Sequence, residues 1–416
     1  DPHPSRSPHE EDPTPLFKDL RLENMRCDTP KKQFGGPQKS VDGAIISLHA
    51  IGDSIFTIHS DFTLCSYKLH HARNVDPFYF KHEKARGLEG KDASLSHTVV
   101  ENEAYSSLNH NESETFDDQR QYIGNVSFAV AVGVSSRVGT GSSNSDMSHL
   151  VMSCGYFDGC VKIHSLDSLQ LESSLSGGHR GHITCLEVGD EGEMMVTGGD
   201  DATCRIWTVE HDALAAAITD GFVKSSLGKE RPEDIRCFVS HVLLGHVTPV
   251  FCVALCTKLD VAVSGSQDGS ICIHNIRSGK FIRSLHIDAS TQEVQESCAG
   301  NGIPLQKIAI HTDGSFVAHL SDGSLHVISV NGEQLCSTQI GEKLNAMIIC
   351  SKSETLITGG DKGCVRVWKL HDLSLQCTVD VKKHGAITSL ALTPPESQFL
   401  CIGSSNGILS ILSRNE

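Results

Sequence analysis

One unit recurs seven times along the chain, and nothing else in the sequence restricts the fold as much. Each copy has a short apolar strand, a tight turn on Asp-Gly or a relative, and a second apolar strand. Six residues past the turn residue stands an aromatic, His or aliphatic side chain. The pairs are Asp61 and Tyr67, Asp158 and His164, Asp201 and Trp207, Asp268 and His274, Asp322 and Ile328, Lys362 and Trp368, and Asn406 and Leu412. Asp-Gly between alternating apolar runs is a strong hairpin signal, because Gly reaches φ > 0 without a steric cost. A further apolar strand stands upstream of each hairpin, as in AIISLHA, ITCLEVG and VFCVALC. A weaker fourth strand follows in some copies, as in Lys280–Leu285.

Four strands at a period of ~40–45 residues describe a propeller blade. The steps from turn 158 to 201, 322 to 362 and 362 to 406 fall near that period. The longer steps coincide with soft segments, and loops accept insertions where sheets do not. The reading is therefore an all-β, seven-bladed β-propeller over residues 41–416, with insertions about 71–121, 134–148, 210–240 and 288–300. A closed ring leaves no long free edge. The last copy ends at Glu416 with three strands, so a fourth is expected from within residues 16–40, where the apolar run Leu16–Leu22 lies. Residues 1–40 otherwise read as a disordered, proline-rich tail: they hold Pro2, Pro4, Pro8, Pro13, Pro15, Pro30 and Pro37, and proline interrupts regular helix and central strand.

Charge and cysteine usage narrow the function classes. The net charge of −16 repels phosphate backbones, so nucleic acid is not expected as a partner. Residues 99–121 carry six acids and one base and read as a solvated loop. The 16 cysteines include no Cys-x-x-Cys pair and most sit in apolar strands, which predicts buried thiols in a reducing compartment and neither metal nor cofactor. No apolar run is long enough to cross a membrane, and no secretory signal is visible. The sequons at Asn111 and Asn125 are therefore read as incidental. Lys81, Lys84, Arg86 and Lys91 form a small basic patch that could touch anionic lipid, weakened by Glu83 and Glu89. The chain starts with Asp and reads as a piece of something longer.

The third and fourth copies resemble WD repeats. The third carries Gly178-His179, Thr197, Asp201 and Trp207; the fourth carries Gly245-His246, Ser264 and Asp268, with His274 in place of Trp. His179 to Asp201 and His246 to Asp268 are the same distance along the chain. The resemblance implies a structural hydrogen-bond network in which Trp donates to a hydroxyl, the hydroxyl to His, and His to Asp. Trp368 marks a partial network in the sixth copy. These residues would serve the blade, not a nucleophilic triad, because the pattern recurs in register. The opening Asp1-Pro2-His3-Pro4-Ser5-Arg6 is similar to the end of BEACH domains, which lead into such propellers in neurobeachin-like proteins. This resemblance implies a non-catalytic scaffold in vesicle trafficking, membrane-protein localisation or autophagy. It would be cytoplasmic and peripheral to membranes, with trafficking or autophagy adaptors and kinase subunits as partners.

Partners are expected on the rim that carries the hairpin turns. The residue before each turn position should face it: Ser60, Phe157, Asp200, Gln267, Ser321, Asp361 and Ser405. Phe157 would be an apolar anchor, and Asp200 and Asp361 would favour a basic segment, with Gln267 between them. Two other readings stay open: a receptor subunit of a ubiquitin ligase or coat, and, remotely, a propeller enzyme. No set of acids and histidines recurs on the first strands, and no catalytic residue is assigned.

Overall fold

The computed structural model describes residues 20–25, 44–51, 54–60, 63–68, 98–99, 127–134, 148–155, 159–165, 171–176, 178–189, 192–211, 235–287, 294–295, 302–381, 385–393 and 399–414. Phe157, Asp61, Asp158, the basic patch, both sequons, the acidic stretch beyond Val99 and most of the proline-rich tail lie outside them.

Among the described residues there are seven sheets and no helix. β1 (Leu20–Met25) precedes the first blade in the chain. Blade 1 holds β2 (Ile45–Ile51), β3 (Ser54–His59), β4 (Thr63–Lys68) and β5 (Thr98–Val99). Blade 2 holds β6 (Ser127–Val134), β7 (Ser148–Cys154), β8 (Val161–Ser165) and β9 (Leu171–Leu175). Blade 3 holds β10 (Ile183–Val188), β11 (Met194–Gly199), β12 (Cys204–His211) and β13 (Ile235–Leu243). Blade 4 holds β14 (Val250–Cys256), β15 (Val261–Ser266), β16 (Ser270–Asn275), β17 (Phe281–Ile287) and a short fifth strand, β18 (Val294–Gln295). Blade 5 holds β19 (Leu305–Ile310), β20 (Ser315–Leu320), β21 (Ser324–Ser329) and β22 (Gln334–Gln339). Blade 6 holds β23 (Leu344–Cys350), β24 (Thr355–Gly360), β25 (Cys364–Lys369) and β26 (Leu375–Asp380). Blade 7 holds β27 (Ile387–Leu392), β28 (Phe399–Ser404), β29 (Leu409–Arg414) and, as its outer strand, β1.

The first strands contact one another in a closed circuit, from β2 through β6, β10, β14, β19, β23 and β27 back to β2, so they line the axis of a seven-bladed β-propeller. The circuit is locked where the chain's two ends meet: β1 pairs antiparallel with β29, Leu20 opposite Arg414 and Met25 opposite Leu409. Strand residues also reach into the segments expected as insertions. β13 starts at Ile235, β5 sits at Thr98–Val99, and β18 pairs with the end of β17.

The core lies between blades. Inward-facing side chains of adjacent sheets interdigitate, as sandwich packing requires. Met195 and Trp207 of blade 3 pack with Leu150, Met152 and Ile163 of blade 2. Ile271 and Leu285 of blade 4 pack with Phe316 and Ile328 of blade 5. Ile45 and Ile55 of blade 1 pack with Phe399, Cys401 and Ile411 of blade 7, which closes the ring a second time. Buried cysteines are part of this filling, and burial pushes the thiols of Cys185 and Cys401 up to about 12, so they are inert at neutral pH.

Two local devices repeat around the ring. In six blades the first strand carries a one-residue bulge at its second position, occupied by Ile46, Thr184, Phe251, Gln306, Asn345 and Thr388. Where that residue is polar it can stitch one blade to the next. Thr184 donates to Val250 O, Asn345 to Ile387 O (3.0 Å) and Thr388 to Ile45 O. The second device is the hairpin turn. Asp268 and Asp322 accept the backbone N–H two residues on, each at 2.9 Å, which fixes the turn before the third strand begins. Gly269, Gly323, Gly363 and Gly407 follow with φ of 83°, 84°, 67° and 73°. Blade 3 places Ala202 there, at φ 60°.

Candidate functional site

The two ends of the ring are defined by backbone bonds. At one end the residue before each turn position donates to the residue that precedes the first strand: Ser60 to Ala44, Asp200 to His182, Gln267 to Pro249, Ser321 to Pro304, Asp361 to Lys343 and Ser405 to Ala386. At the other end the turn after the third strand donates back to the first hairpin, as Ile276 to Asp260, Val330 to Gly314 and Leu370 to Glu354. The first end gathers the second-to-third-strand turns and the loops between blades into one rim.

On that rim Ser60, Asp200, Gln267, Ser321 and Asp361 are exposed, while Ser405 is half-buried. Asp361 is not a free acid: its carboxylate accepts a bond from Asn345 Nδ2 at 2.8 Å, which ties it into the stitch between blades 6 and 7.

Sequence reading missed three apolar side chains on the same rim. Leu244 and Val247, on the loop from β13 to β14, are 65% and 75% exposed, and Phe251, at the bulge of β14, is 36% exposed. Phe251 stands where Thr184 and Thr388 make the inter-blade bond, so blade 4 gives up that bond for an exposed ring. The signal was legible: aligned first strands put Thr or Asn at this position in three blades and Phe in one.

Beneath the rim, blade 3 holds a continuous network. Trp207 Nε1–H donates to Thr197 Oγ1 at 2.9 Å, and Thr197 Oγ1 lies 2.9 Å from His179 Nε2. His179 Nδ1 lies 2.9 Å from Asp201 Oδ1. Burial holds His179 below its ordinary value, more strongly than the adjacent Asp201 raises it, so the ring is neutral. Neutral imidazole then carries its proton on Nδ1, donates to Asp201 and accepts from Thr197. Burial pushes the Asp201 carboxyl up, but bonds from Arg180 N–H, His179 and Thr203 outweigh it and pull the carboxyl down to about 2. Gly178 belongs to this arrangement by close approach: a Cβ there would lie 2.5 Å from the Trp207 ring.

Blade 4 departs from the expected pattern. His246 reaches Ser264 at 2.8 Å, but its other nitrogen faces Ser270 at 2.9 Å. Asp268 instead accepts the Ser270 N–H at 2.9 Å, so Ser270 stands between His246 and Asp268. His274, in the Trp position, turns away to Leu244 O at 2.9 Å and packs edge-on against Phe281, with ring centroids 5.4 Å apart. In blade 6, Trp368 donates to Thr358 at 2.9 Å, but Ile340 stands where the His would be and packs into the apolar seam. Its turn residue is Lys362, and the carboxylate comes from buried Glu342, paired with Arg366. The polar groups named here hydrogen-bond or pair within the protein, which suits a structural role. Among the described residues no group of three or more His, Cys, Asp or Glu could hold a metal ion, and no helix is long and apolar enough to cross a membrane.

Comparison with known proteins places this geometry. The chain is similar to BEACH domain-containing protein B of Arabidopsis thaliana, 28% identical over 274 residues, which are 64% of this chain and 10% of that protein. It is similar to BEACH domain-containing protein lvsE of Dictyostelium discoideum, 26% identical over 268 residues, covering 63% of this chain and 11% of that protein. It also resembles Beige protein homolog 1 of Schizosaccharomyces pombe, 25% identical over 223 residues, 50% of this chain and 7% of the other. The chain thus spans about a tenth of the length of these relatives. The neurobeachin beta propeller domain matches residues 123–416, and with its seven interlocked sheets the chain belongs to that family.

Proposed function

We propose that the ring is a non-catalytic platform that holds other proteins at the rim carrying Asp200 and Gln267. The observation that carries this reading is the apolar set Leu244, Val247 and Phe251, exposed on the rim that also carries the exposed acid Asp200. Several large apolar side chains gathered on one exposed face are the kind of surface that protein contacts use. Asp200 gives the surface a preference for a partner with a basic residue next to its apolar anchor.

The names of the relatives support a setting in a longer BEACH-type protein. There the platform would collect trafficking or autophagy adaptors, or kinase subunits, at the cytoplasmic face of a membrane. The Asp361 contribution is smaller than that of Asp200, because its carboxylate is already occupied.

The test is affinity capture from cell lysate with partners read by mass spectrometry. The bait is the 416-residue chain, a variant carrying Asp200→Lys, Val247→Ser and Phe251→Thr, and a control, Leu259→Ser, at the opposite end. The rim variant should lose partners that the parent and the control retain. Identical partner sets for all three baits would remove the rim from the account.

A further inference from the structure

Four blades meet at one level of the ring with small side chains. The residue after the first-strand bulge stands opposite a glycine of the second strand: Cys185 opposite Gly198, Cys252 opposite Gly265, Ala346 opposite Gly359 and Ser389 opposite Gly403. The glycines are there because the next blade presses close. A Cβ on Gly198 would meet Val250, on Gly265 Leu305 and Ile308, on Gly359 Ile387, and on Gly403 Ile45.

Blade 5 breaks this rule with two ionisable residues. Lys307 stands opposite His319. Side chains two apart on a strand share a face. Val317 packs into the cluster shared with Leu344 of blade 6, so His319 faces the same seam. β19 and β23 meet over less of their length than β14 and β19 or β23 and β27 on either side, as β2 and β6 also do.

Neither buried His319 nor half-buried Lys307 makes a hydrogen bond among the described residues. His319 is 1% exposed, and neither ring nitrogen has a hydrogen-bond partner. Lys307 makes no hydrogen bond or ion pair among the described residues, and exposed Lys343, at the entry to β23, lies within its field. The acids nearby are committed or distant. Asp322 is held by the Ser324 N–H and hydroxyl, at 2.9 and 2.6 Å. Glu342 is paired with Arg366, and Glu187 reaches Lys307 only across from blade 3. A buried polar group with no protein partner is costly unless a water, an ion or a ligand supplies the missing contact.

We propose that Lys307, His319 and Lys343 form a binding site for one oxyanion, a carboxylate or a phosphate group, in the seam between blades 5 and 6. The two ammonium groups supply charge-assisted donors, and the imidazole supplies one N–H. Burial, helped by Lys307, holds His319 down to about 4, so at neutral pH it donates without adding charge. Its residues lie on blades 5 and 6, whereas Phe251 lies on blade 4.

The experiment is calorimetric titration of the 416-residue chain with sodium phosphate and, separately, with hexaglutamate, at ionic strength held constant with sodium chloride. Variants are Lys307→Met, which keeps side-chain length, His319→Gly, which restores the residue of blades 3, 4, 6 and 7, and Lys258→Met on an exposed turn of blade 4. At least one probe should bind saturably to the parent. Lys307→Met and His319→Gly should each weaken it, the former by about ten-fold or more, while Lys258→Met leaves it unchanged. Binding of phosphate alone identifies a phosphate-bearing ligand, and binding of hexaglutamate alone identifies an acidic side chain of a protein. No saturable binding of either probe, or equal weakening by Lys258→Met, overturns the proposal. Should Lys307→Met fail to fold, as read by circular dichroism, His319→Gly carries the comparison.

Discussion

Thr197 is the hinge of the blade 3 network, since it receives the Trp207 N–H and gives its own proton to His179. Valine has the same shape and no hydroxyl. Thr197→Val should leave a buried indole N–H and a ring nitrogen without partners, at a cost of about 2–4 kcal/mol. Urea denaturation checks this, and an unchanged midpoint would mean the network adds nothing. His179, Thr197, Asp201 and Trp207 could be picked out in the sequence through its resemblance to WD repeats, whose hydrogen-bond network uses these residue types. Three things could not be read there: Ser270 between His246 and Asp268, the Glu342–Arg366 pair that takes over in blade 6, and the exposure of Val247. Each depends on a side-chain direction or a loop path that residue spacing does not encode.

Strands carry the next level. First, second and third strands were legible because apolar alternation and Asp-Gly turns are local signals. Outer strands were harder, because two of them stand far from their hairpins: β5 and β13 follow long connections, and only pairing with β4 and β12 identifies them. Ring closure is likewise non-local. The one Thr388 hydroxyl proton is shared between Gly403 O, at 3.1 Å, and Ile45 O, and so joins blade 7 to blade 1 where no peptide bond does. Thr388→Val should lower stability by about 1–3 kcal/mol and speed amide exchange in β2 and β27. Blade 4 already lacks this bond at Phe251, so one missing stitch should weaken the ring without unfolding it. Exchange in β2 no faster than in the parent would contradict the stitching role.

The whole molecule should be acid-sensitive, and histidines are the reason. Burial holds His49, His246 and His319 at about 4, against an ordinary 6.5. Between those values the unfolded chain takes up protons that the folded ring does not. Their contribution is therefore present above about pH 6.5, and it is lost as pH falls toward 4. Each histidine held that far down is worth on the order of 3 kcal/mol across this window. Asp201, pulled down to about 2, adds a further loss from about pH 4 to 2. Thermal midpoints should fall steeply from pH 6.5 to 4.5; a flat profile there would show that these rings are solvated in solution. The same closed, interlocked ring gives the proposed function its physical basis, because a surface that does not deform wastes little binding energy on ordering.

Hydrogen–deuterium exchange of the chain, alone and with a captured partner, tests that function most directly. The account predicts new protection in residues 178–182, 199–203, 244–251 and 266–270, on the rim of blades 3 and 4, with residues 257–260 and 276–280 at the opposite end unchanged. Protection confined to the opposite end, or none on the rim, would contradict it.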